Sequence, residues 1–313
     1  MTTPFVPSLS TAAHLHPERR EVDVAAWITV PSQRDHSNNM SKEAEEWLTD
    51  YLQVTTPKDW PRVLCCESSR SLYCPECCRI LIPREDWPAP IEDGSLRSPF
   101  DMDIILDEKE RRTTATGIHM LAINSEIAAI SQSAHVTERQ DPPNRVQVFD
   151  LGREDMPCYD QDQDGVYVLF PSKDSVPISS VGPIKKLIVL DCKWSRPSMK
   201  SHPNILSLPR VHLVDPPAES QYWRWHNSGD GMLSTMQAIY FSMIQVTEDW
   251  PLEKRKQLIH VMWLFALQRS VIGQRSQMEK RPIPFTEAGK DCQRELRLRQ
   301  NGNPPKKKVP TSS

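Results

Sequence analysis

Two short apolar segments constrain the fold more than any other feature of this sequence. Val166–Phe170 and Lys186–Leu190 lack the regular alternation of polar and apolar residues that marks a strand with one face in water. Pro171 ends the first segment, and Asp191 follows the second. We therefore expect central strands of a sheet that is covered on both faces, which predicts an α/β protein.

Helical patterns dominate the last third of the chain. Ser234-Thr-Met-Gln237 matches a capping box, with Ser234 as the N-cap, and apolar residues then recur at helical spacing. A second helix is predicted from Pro251 to about Gly273. The earlier predicted elements are a helix over 41–52, a loop over 84–99, a strand over 101–106, a segment over 116–130 that is compatible with a helix, and a short strand over 146–149 within a loop-like stretch.

Composition excludes several classes of protein. The chain has 313 residues, 38% of them hydrophobic, with 38 Lys and Arg against 41 Asp and Glu, for a net charge of −3. These values argue against global disorder and against a polycation that coats nucleic acid by bulk charge. No apolar run is long enough to span a membrane, and the N-terminus lacks the features of a signal peptide. We therefore expect an intracellular protein whose thiols are reduced.

Five cysteines lie between positions 65 and 78, which in a reducing compartment favours a metal site over disulfides. Cys74-Pro-Glu-Cys77 is a knuckle whose two thiolates can reach one tetrahedral ion. Cys65 and Cys66 complete the predicted zinc ligands. Because Cys65 and Cys66 are adjacent, we do not expect the two side chains to face the same ion together. Cys78 is therefore an alternative candidate for the fourth ligand. The alternative is a group of small buried thiols.

A ligand site is expected where strands end, because ligands of α/β sheets gather at the carboxyl ends of the strands. Asp191 and Trp194 lie just beyond one predicted strand, and Leu169–Pro171 closes the other. Residues 229–237 form a glycine-containing loop that enters a helix N-terminus, where free N–H groups attract carboxylates or phosphates. Each feature also has a structural interpretation, since Ser234 and Asp191 can serve as caps and Trp194 as a core residue.

Five motifs occur along the chain in an order that points to a known family. They are Ser69-Arg70 with Tyr73-Cys74-Pro-Glu-Cys77, Asp101-Met-Asp-Ile-Ile105 with Thr116-Gly-Ile-His119, Val168-Leu-Phe-Pro171, Leu190-Asp-Cys-Lys-Trp194, and Tyr222-Trp-Arg-Trp with Leu233-Ser-Thr-Met-Gln-Ala-Ile-Tyr240. Together they resemble the DTW domain family over residues 60–270. The residues that flank the last motif resemble the eukaryotic type-one branch of that family.

The resemblance implies a transferase that acts in tRNA processing. Members of the family are tRNA-uridine aminocarboxypropyltransferases, which move the 3-amino-3-carboxypropyl group of S-adenosylmethionine to N3 of a uridine and release methylthioadenosine. The implied fold is α/β and related to the knotted (SPOUT) methyltransferases, with a parallel sheet flanked by helices and a small N-terminal zinc-knuckle module. Two alternatives stay open: a non-catalytic tRNA-binding scaffold on the same fold, and an S-adenosylmethionine-dependent RNA methyltransferase.

The resemblance also implies roles for particular residues. Asp191 is expected to act as general base or to orient the uridine, and Trp194 to supply an aromatic surface for the sulfonium and the adenine. Arg224 is expected to contact a tRNA phosphate or the amino-acid carboxylate of S-adenosylmethionine. The basic tail lies beyond the resemblance, and its charge offers Lys306, Lys307 and Lys308 as further RNA-binding residues. The residues expected to bind S-adenosylmethionine are Leu169, Phe170, Pro171, Leu190, Leu233, Ser234 and Thr235.

Three residues depart from the family pattern. Gln237 stands where the family has Glu, so no role that depends on a charge can be assigned to it. Cys192 replaces the usual Thr or Ser, and Val63 occupies a position where a cysteine is usual. These departures leave open a slow or inactive enzyme, and Gln237 with the incomplete zinc pattern motivates the non-catalytic alternative.

The predicted organisation separates charge along the chain. The carboxyl-terminal 39 residues carry ten Lys and Arg against four Asp and Glu, a local charge of +6, which leaves −9 on residues 1–274. This tail can act as a nuclear-import signal, a tRNA-contacting arm or a solubilising segment. The expected location is therefore the nucleus, with the cytoplasm as a second possibility, and no feature indicates an oligomeric state. The predicted units are a mobile N-terminal segment with a short helix (1–59), the zinc knuckle (60–83), the catalytic domain (84–274) and a basic, disordered tail (275–313).

Overall fold

A six-stranded sheet in which every strand pairing is parallel organises the protein. The computed structural model describes residues 38–133, 144–151, 156–159, 163–193, 198–224 and 231–300. The strands are β1 (Val63–Cys65), β2 (Ser68–Arg70), β3 (Asp101–Leu106), β4 (Val146–Asp150), β5 (Val166–Leu169), β6 (Val176–Pro177), β7 (Lys186–Asp191) and β8 (Arg210–His212). Strands β1 and β2 form a separate antiparallel hairpin, and the order in the main sheet is β4-β3-β7-β5-β8-β6.

Helices connect the strands and cover the sheet. They are α1 (Asn38–Val54), α2 (Ala89–Glu92), α3 (Gly117–Ser133), α4 (Pro203–Leu206), α5 (Thr235–Val246), α6 (Leu252–Gln257), α7 (Trp263–Met278) and α8 (Glu287–Gln300). Short 3-10 turns lie at Arg84–Asp86, Ile178–Ser180, Ser198–Ser201 and Leu258–Met262. Among the described helices, none combines the length and the apolar character needed to cross a membrane.

The central strands are apolar because both of their faces are buried. In β7, Leu187 and Val189 pack into a large core formed with α1, α3, α5 and α7, whereas Ile188 packs into a smaller core on the other face. The smaller core also contains Val168 from β5 and Ile205 from α4. The prediction of an α/β protein with centrally placed strands is therefore confirmed, and the sheet is parallel as expected.

Helix α1 belongs to the main core and is longer than predicted. Its Ala44 and Leu48 are buried, and the Ala44 carbonyl accepts a hydrogen bond from the hydroxyl of Tyr240 in α5. At the start of the helix, Ser41 Oγ donates to the carbonyl of Val214. The short helix predicted over 41–52 is therefore present, extended to residues 38–54 and packed on the core. The mobility predicted for the amino-terminal segment stays a prediction, since residues 1–37 lie outside the described part of the chain.

The carboxyl-terminal predictions need two corrections. The helix expected from Pro251 to about Gly273 is divided into α6, a 3-10 turn and α7, and α7 continues to Met278. Gly273 does not end the helix. Its lack of a side chain lets the Phe285 ring pack against α7, because a Cβ at Gly273 would lie 3.0 Å from that ring. The segment predicted to be disordered contains α8, whose Gln293 side chain donates to the carbonyls of Trp223 and Pro284.

Candidate functional site

Asp191 ends the central strand β7 at the carboxyl edge of the sheet, where it pairs in register with Leu106 of β3. Its side chain is 7% exposed and faces the helical layer. The Asp191 Oδ2 atom accepts a hydrogen bond from the backbone N–H of Gly117 at 3.0 Å, and the Thr235 side chain also hydrogen-bonds the carboxylate. Asp191 therefore joins the first residues of α3 and α5.

Gly117 is needed because three elements meet at this point. A Cβ on Gly117 would lie 2.8 Å from Ile104 Cγ2 and 3.0 Å from Asp191 Oδ2, closer than side chains normally pack. Beside it, Thr116 Oγ1 accepts a hydrogen bond from the backbone N–H of Met236 at 3.1 Å. The loop between β3 and α3 is thus bonded to both β7 and the N-terminus of α5.

The environment of Asp191 suits a base that works near neutral pH. Burial raises the pKa of Asp191 to about 6, although the Gly117 N–H and the Thr235 side chain lower it, and the charge of Glu110 raises it further. Glu110 lies in the same β3–α3 loop and is 3.9 Å from the ammonium of Lys193. A carboxylate with this pKa is ionised at neutral pH and can still accept and release a proton.

The N-terminus of α5 has the predicted capping box. Ser234 Oγ accepts from the Gln237 N–H at 3.3 Å, and the Gln237 side-chain oxygen accepts from the Ser234 N–H at 3.4 Å. Because Met236 and Gln237 already donate to Thr116 and Ser234, protein groups use two of the N–H groups that were expected to attract an anion. Binding of a ligand by Ser234 and Thr235 stays a prediction, and any anion there must use other donors.

The end of β5 lies beside the end of β7, since Leu169 pairs with Val189. Leu169 belongs to the main core, whereas Phe170 and Leu190 belong to the smaller core on the opposite face from Asp191. A ligand that touched both Asp191 and Phe170 would therefore have to cross the edge of the sheet.

Tyr222 and Arg224 approach the same edge from the segment before α5. The Tyr222 hydroxyl donates to the Thr114 carbonyl of the β3–α3 loop at 3.2 Å. Burial raises the pKa of Tyr222 to about 12, while the charge of Arg224 lowers it and those of Asp191 and Glu110 raise it. The charges of both Arg224 and Asp191 therefore act on the Tyr222 hydroxyl. The predicted site residues Trp194, Lys306, Lys307 and Lys308 lie outside the described residues.

The predicted metal ligands lie together. The sulfur atoms of Cys65, Cys66, Cys74 and Cys77 are all within 4.8 Å of one another, and those of Cys65 and Cys77 are 3.5 Å apart. Four thiolates at the corners of a zinc tetrahedron are separated by about 3.8 Å, given a Zn–S bond of about 2.3 Å. This donor set therefore fits a metal ion such as zinc.

The adjacent pair faces one centre because of its backbone conformation. Cys66 and Glu67 form the two-residue turn between β1 and β2, and both have positive φ angles, 44° and 62°. The expectation that neighbouring cysteines would not face the same ion is therefore wrong here. Cys78 is not part of the cluster; its buried thiol donates to the Pro75 carbonyl.

The thiols of the cluster shift one another's pKa values. Burial raises the pKa of Cys74, but backbone N–H groups of Cys77 and Glu76 and the neighbouring thiols lower it more, to about 7. Hydrogen bonds to Cys77 and Cys74 raise the pKa values of Cys65 and Cys66. Because metals bind the thiolate form, metal binding at this cluster would release protons.

Comparison with known families agrees with the motifs. A model of the DTW domain matches residues 71–269. The chain belongs to the DTW domain family. Membership of this family is consistent with a role in tRNA modification. No significant match was found among curated proteins or among solved structures. Assignment to the type-one branch stays a prediction.

The DTW domain of this chain includes Cys74, Cys77, Asp191 and the start of α5, but Cys65, Cys66 and α8 lie outside the matched residues. Sequence analysis placed Gly117 in a family motif without assigning it a role, and it did not identify Glu110 or Arg112 as parts of the site. The only sequence signal of Glu110 and Arg112 is position, in a short loop after a buried strand and before a helix. The contacts that give them importance are made to distant segments, which spacing does not reveal.

Proposed function

We propose that this protein is a tRNA-uridine aminocarboxypropyltransferase that uses S-adenosylmethionine. The observation that carries the proposal is the buried Asp191 carboxylate at the end of the central strand of a DTW domain, held by two helix N-termini and with its pKa raised to about 6. The family match supports tRNA modification in general, and this site supports a reaction that removes a proton from a weak acid.

The proposed reaction balances as follows. Asp191 accepts the N3 proton of the uridine, and the N3 electron pair attacks the γ-carbon of the methionine moiety. The bond between that carbon and the sulfonium sulfur breaks, and its electrons neutralise the sulfur to give methylthioadenosine. Asp191 then returns the proton to water. Holding the two substrates in line can supply about 7–11 kcal/mol of the barrier reduction in well-oriented systems.

S-adenosylmethionine is a substrate in this proposal, bound across the edge of the sheet between β5 and β7. Phe170 and Leu190 would contact its apolar parts from one face, with Trp194 as a further aromatic partner for the sulfonium. Ser234, Thr235 and Leu233 would lie on the other face beside Asp191. Arg224 would neutralise either the amino-acid carboxylate or a phosphate of the tRNA.

We propose zinc as the metal of the cysteine cluster, with a structural role. Four protein thiolates would complete its coordination and leave no open position for a substrate. The metal would then fix the turns that contain its ligands. The knotted topology of the SPOUT-related enzymes and a nuclear location directed by the basic tail are further predictions of this proposal.

One assay tests the proposed reaction. Purified protein, unmodified tRNA and S-adenosylmethionine should yield an aminocarboxypropylated uridine together with methylthioadenosine. Release of S-adenosylhomocysteine instead would identify a methyltransferase and overturn the proposal.

A non-catalytic tRNA-binding scaffold is the second candidate, and Gln237 favours it. Gln237 is fully buried, its oxygen accepts from the hydroxyls of Ser220 and Ser234, and its Nε2 has no partner among the described residues. The glutamate that the family has at this position carries no side-chain N–H group, so it would not bury an unpaired donor here. Calorimetry separates the two functions, since intact tRNA binding without S-adenosylmethionine binding would support the scaffold.

A further inference from the structure

The cysteine cluster is bonded to the loop that leads to Asp191 through Arg112. This arginine lies between β3 and α3, and its Nη1 donates to the carbonyls of Pro75 at 3.3 Å and Glu76 at 3.0 Å. Those two residues form the turn between the metal-ligand positions 74 and 77. Arg112 Nε is also 3.6 Å from Asp150 Oδ2 at the end of β4, and the two side chains are only 11% and 9% exposed.

A second set of contacts joins the cluster to the first turn of α3. The hydroxyl of Tyr73, the residue before the first knuckle cysteine, is 3.0 Å from Nε2 of His119. The same His119 nitrogen is 2.8 Å from Gln268 Oε1 in α7, and His119 is fully buried. His119 lies two residues after Gly117, so the knuckle contacts α3 at the turn that donates to Asp191.

The β3–α3 loop is short and is held at its middle and at its carboxyl-terminal end. Residues 107–116 separate the two elements. At the Asp191 end, Thr116 bonds α5 and Gly117 donates to Asp191. In the middle of the loop, Arg112 bonds the knuckle. A shift of the knuckle carbonyls would therefore move a loop whose last residues set the geometry around Asp191.

We propose that Arg112 is a positioning residue that holds the β3–α3 loop against the cysteine cluster, so that metal bound at the cluster orders the surroundings of Asp191. A buried guanidinium requires hydrogen-bond acceptors, and here the knuckle carbonyls accept from Nη1. Asp150 balances the charge as an ion pair, since Arg112 Nε has no hydrogen-bond partner among the described residues. A metal ion bound to Cys74 and Cys77 would fix the turn that presents those carbonyls. The consequence for catalysis rests on the proposed function, whereas the coupling between cluster and loop does not.

Hydrogen–deuterium exchange tests the coupling without any assay of activity. Arg112→Gln removes the positive charge and the guanidinium that donates to two carbonyls. Arg112→Lys keeps the charge and can still donate to one carbonyl. Arg62→Gln is the matched control, because Arg62 is an exposed arginine beside the same hairpin that bonds only Ser69 in the described structure. We expect Arg112→Gln to raise exchange over residues 107–117 by about tenfold, since it removes charged hydrogen bonds, with a smaller rise for Arg112→Lys and none for Arg62→Gln.

Metal removal adds the decisive comparison. Chelation should raise exchange over residues 107–117 in the wild-type protein but add little in Arg112→Gln, because the coupling is already lost. The metal content of Arg112→Gln before chelation should match that of the wild type. Unchanged exchange in Arg112→Gln, or an equal effect of chelation in both proteins, would contradict the proposal.

Kinetics separate this inference from the proposed function. If the transferase reaction is observed, Arg112→Gln should lower kcat more than it raises KM, and Arg112→Lys should recover part of the loss. Wild-type kcat and KM in Arg112→Gln would overturn the positioning role while leaving the function intact. If no transfer is observed but the exchange pattern holds, the function fails and the coupling stands.

Discussion

At the scale of single residues, Asp191 combines a cost in stability with the proposed role as the base. Its pKa is raised from 3.8 to about 6 chiefly by burial, so the fold favours the neutral carboxyl. A raised carboxyl pKa stabilises the fold fully below pH 4, and this contribution is lost as the pH rises through 6. Ionised Asp191 therefore destabilises the protein at neutral pH.

Asp191→Asn should accordingly separate stability from activity. At pH 7 to 8 the variant should be more stable than the wild type by about 3 kcal/mol, given about 1.4 kcal/mol per pKa unit, and the difference should vanish near pH 4. Transfer activity should fall at least about 100-fold, because the base is lost. Urea unfolding at several pH values and the transfer assay check both parts. Full activity in the variant would show that Asp191 is not the base.

The proposed transfer activity of the wild-type protein should depend on the same group. A base must be ionised to accept a proton, so kcat/KM should rise with pH and level off above an apparent pKa of about 6. The pH–rate profile measures this limb directly. A flat profile between pH 5 and 8 would argue against proton removal by Asp191.

A substitution at Gly117 tests the close packing of α3 against β3 and β7. Gly117→Ala places a methyl group against Ile104 and Asp191, so we expect a loss of about 1–3 kcal/mol in the free energy of unfolding together with reduced activity. Gly182→Ala is the matched control, because no atom lies within 4 Å of its added Cβ. Equal stability of the two variants would mean that α3 can shift to make room for the methyl group without cost, which would contradict this prediction.

At the scale of elements, the β1–β2 hairpin and the following knuckle bring four cysteine thiols close enough to bind one metal ion. Cys74→Ser should reduce the metal content from about one ion per chain to nearly none, since a thiolate ligand of the tetrahedron is lost. Cys158→Ser, a change at an exposed cysteine outside the cluster, should leave the metal in place. Mass-spectrometric metal analysis of the purified proteins decides, and a metal-free wild type would refute the assignment.

Elements with a distinctive local sequence pattern could be predicted from the sequence. Strand β7 is apolar because it is buried on both faces, and α5 begins at a capping box, so each is visible locally. Strand β8 has only three residues and shows no periodicity, and α8 is strongly polar, so neither was predicted. The cysteine set was predicted, but the positive φ angles that bring Cys66 to the cluster depend on the hairpin turn.

At the scale of the whole molecule, charge is divided between an acidic body and a basic carboxyl-terminal region. Much of the charge on α8 is paired within the helix, as in Arg294 with Asp291 and Arg299 with Glu295. The unbalanced lysines are those at 306–308, beyond the described residues. If tRNA is the substrate, this arm should add affinity through its charge alone.

Substitution of Lys306–308 by Gln should weaken tRNA binding most at low salt. The slope of log affinity against log salt concentration should become shallower by about 2–3, given about 0.7–0.9 per phosphate contact. Gln at three exposed lysines of the body, Lys42, Lys185 and Lys256, is the control of equal charge. Equal slopes for the two triple variants would show that the tail makes no dedicated contact, and an import role would then be tested by fusing residues 300–313 to a reporter.

The central claim is that this DTW domain transfers an aminocarboxypropyl group to a tRNA uridine. The most direct measurement is mass spectrometry of tRNA nucleosides and small-molecule products after incubation with S-adenosylmethionine, with Asp191→Asn as the matched control. We predict a uridine that gains the 3-amino-3-carboxypropyl group and an equal amount of methylthioadenosine, both lost in the control. Unmodified tRNA from wild-type protein that binds both substrates would contradict the account.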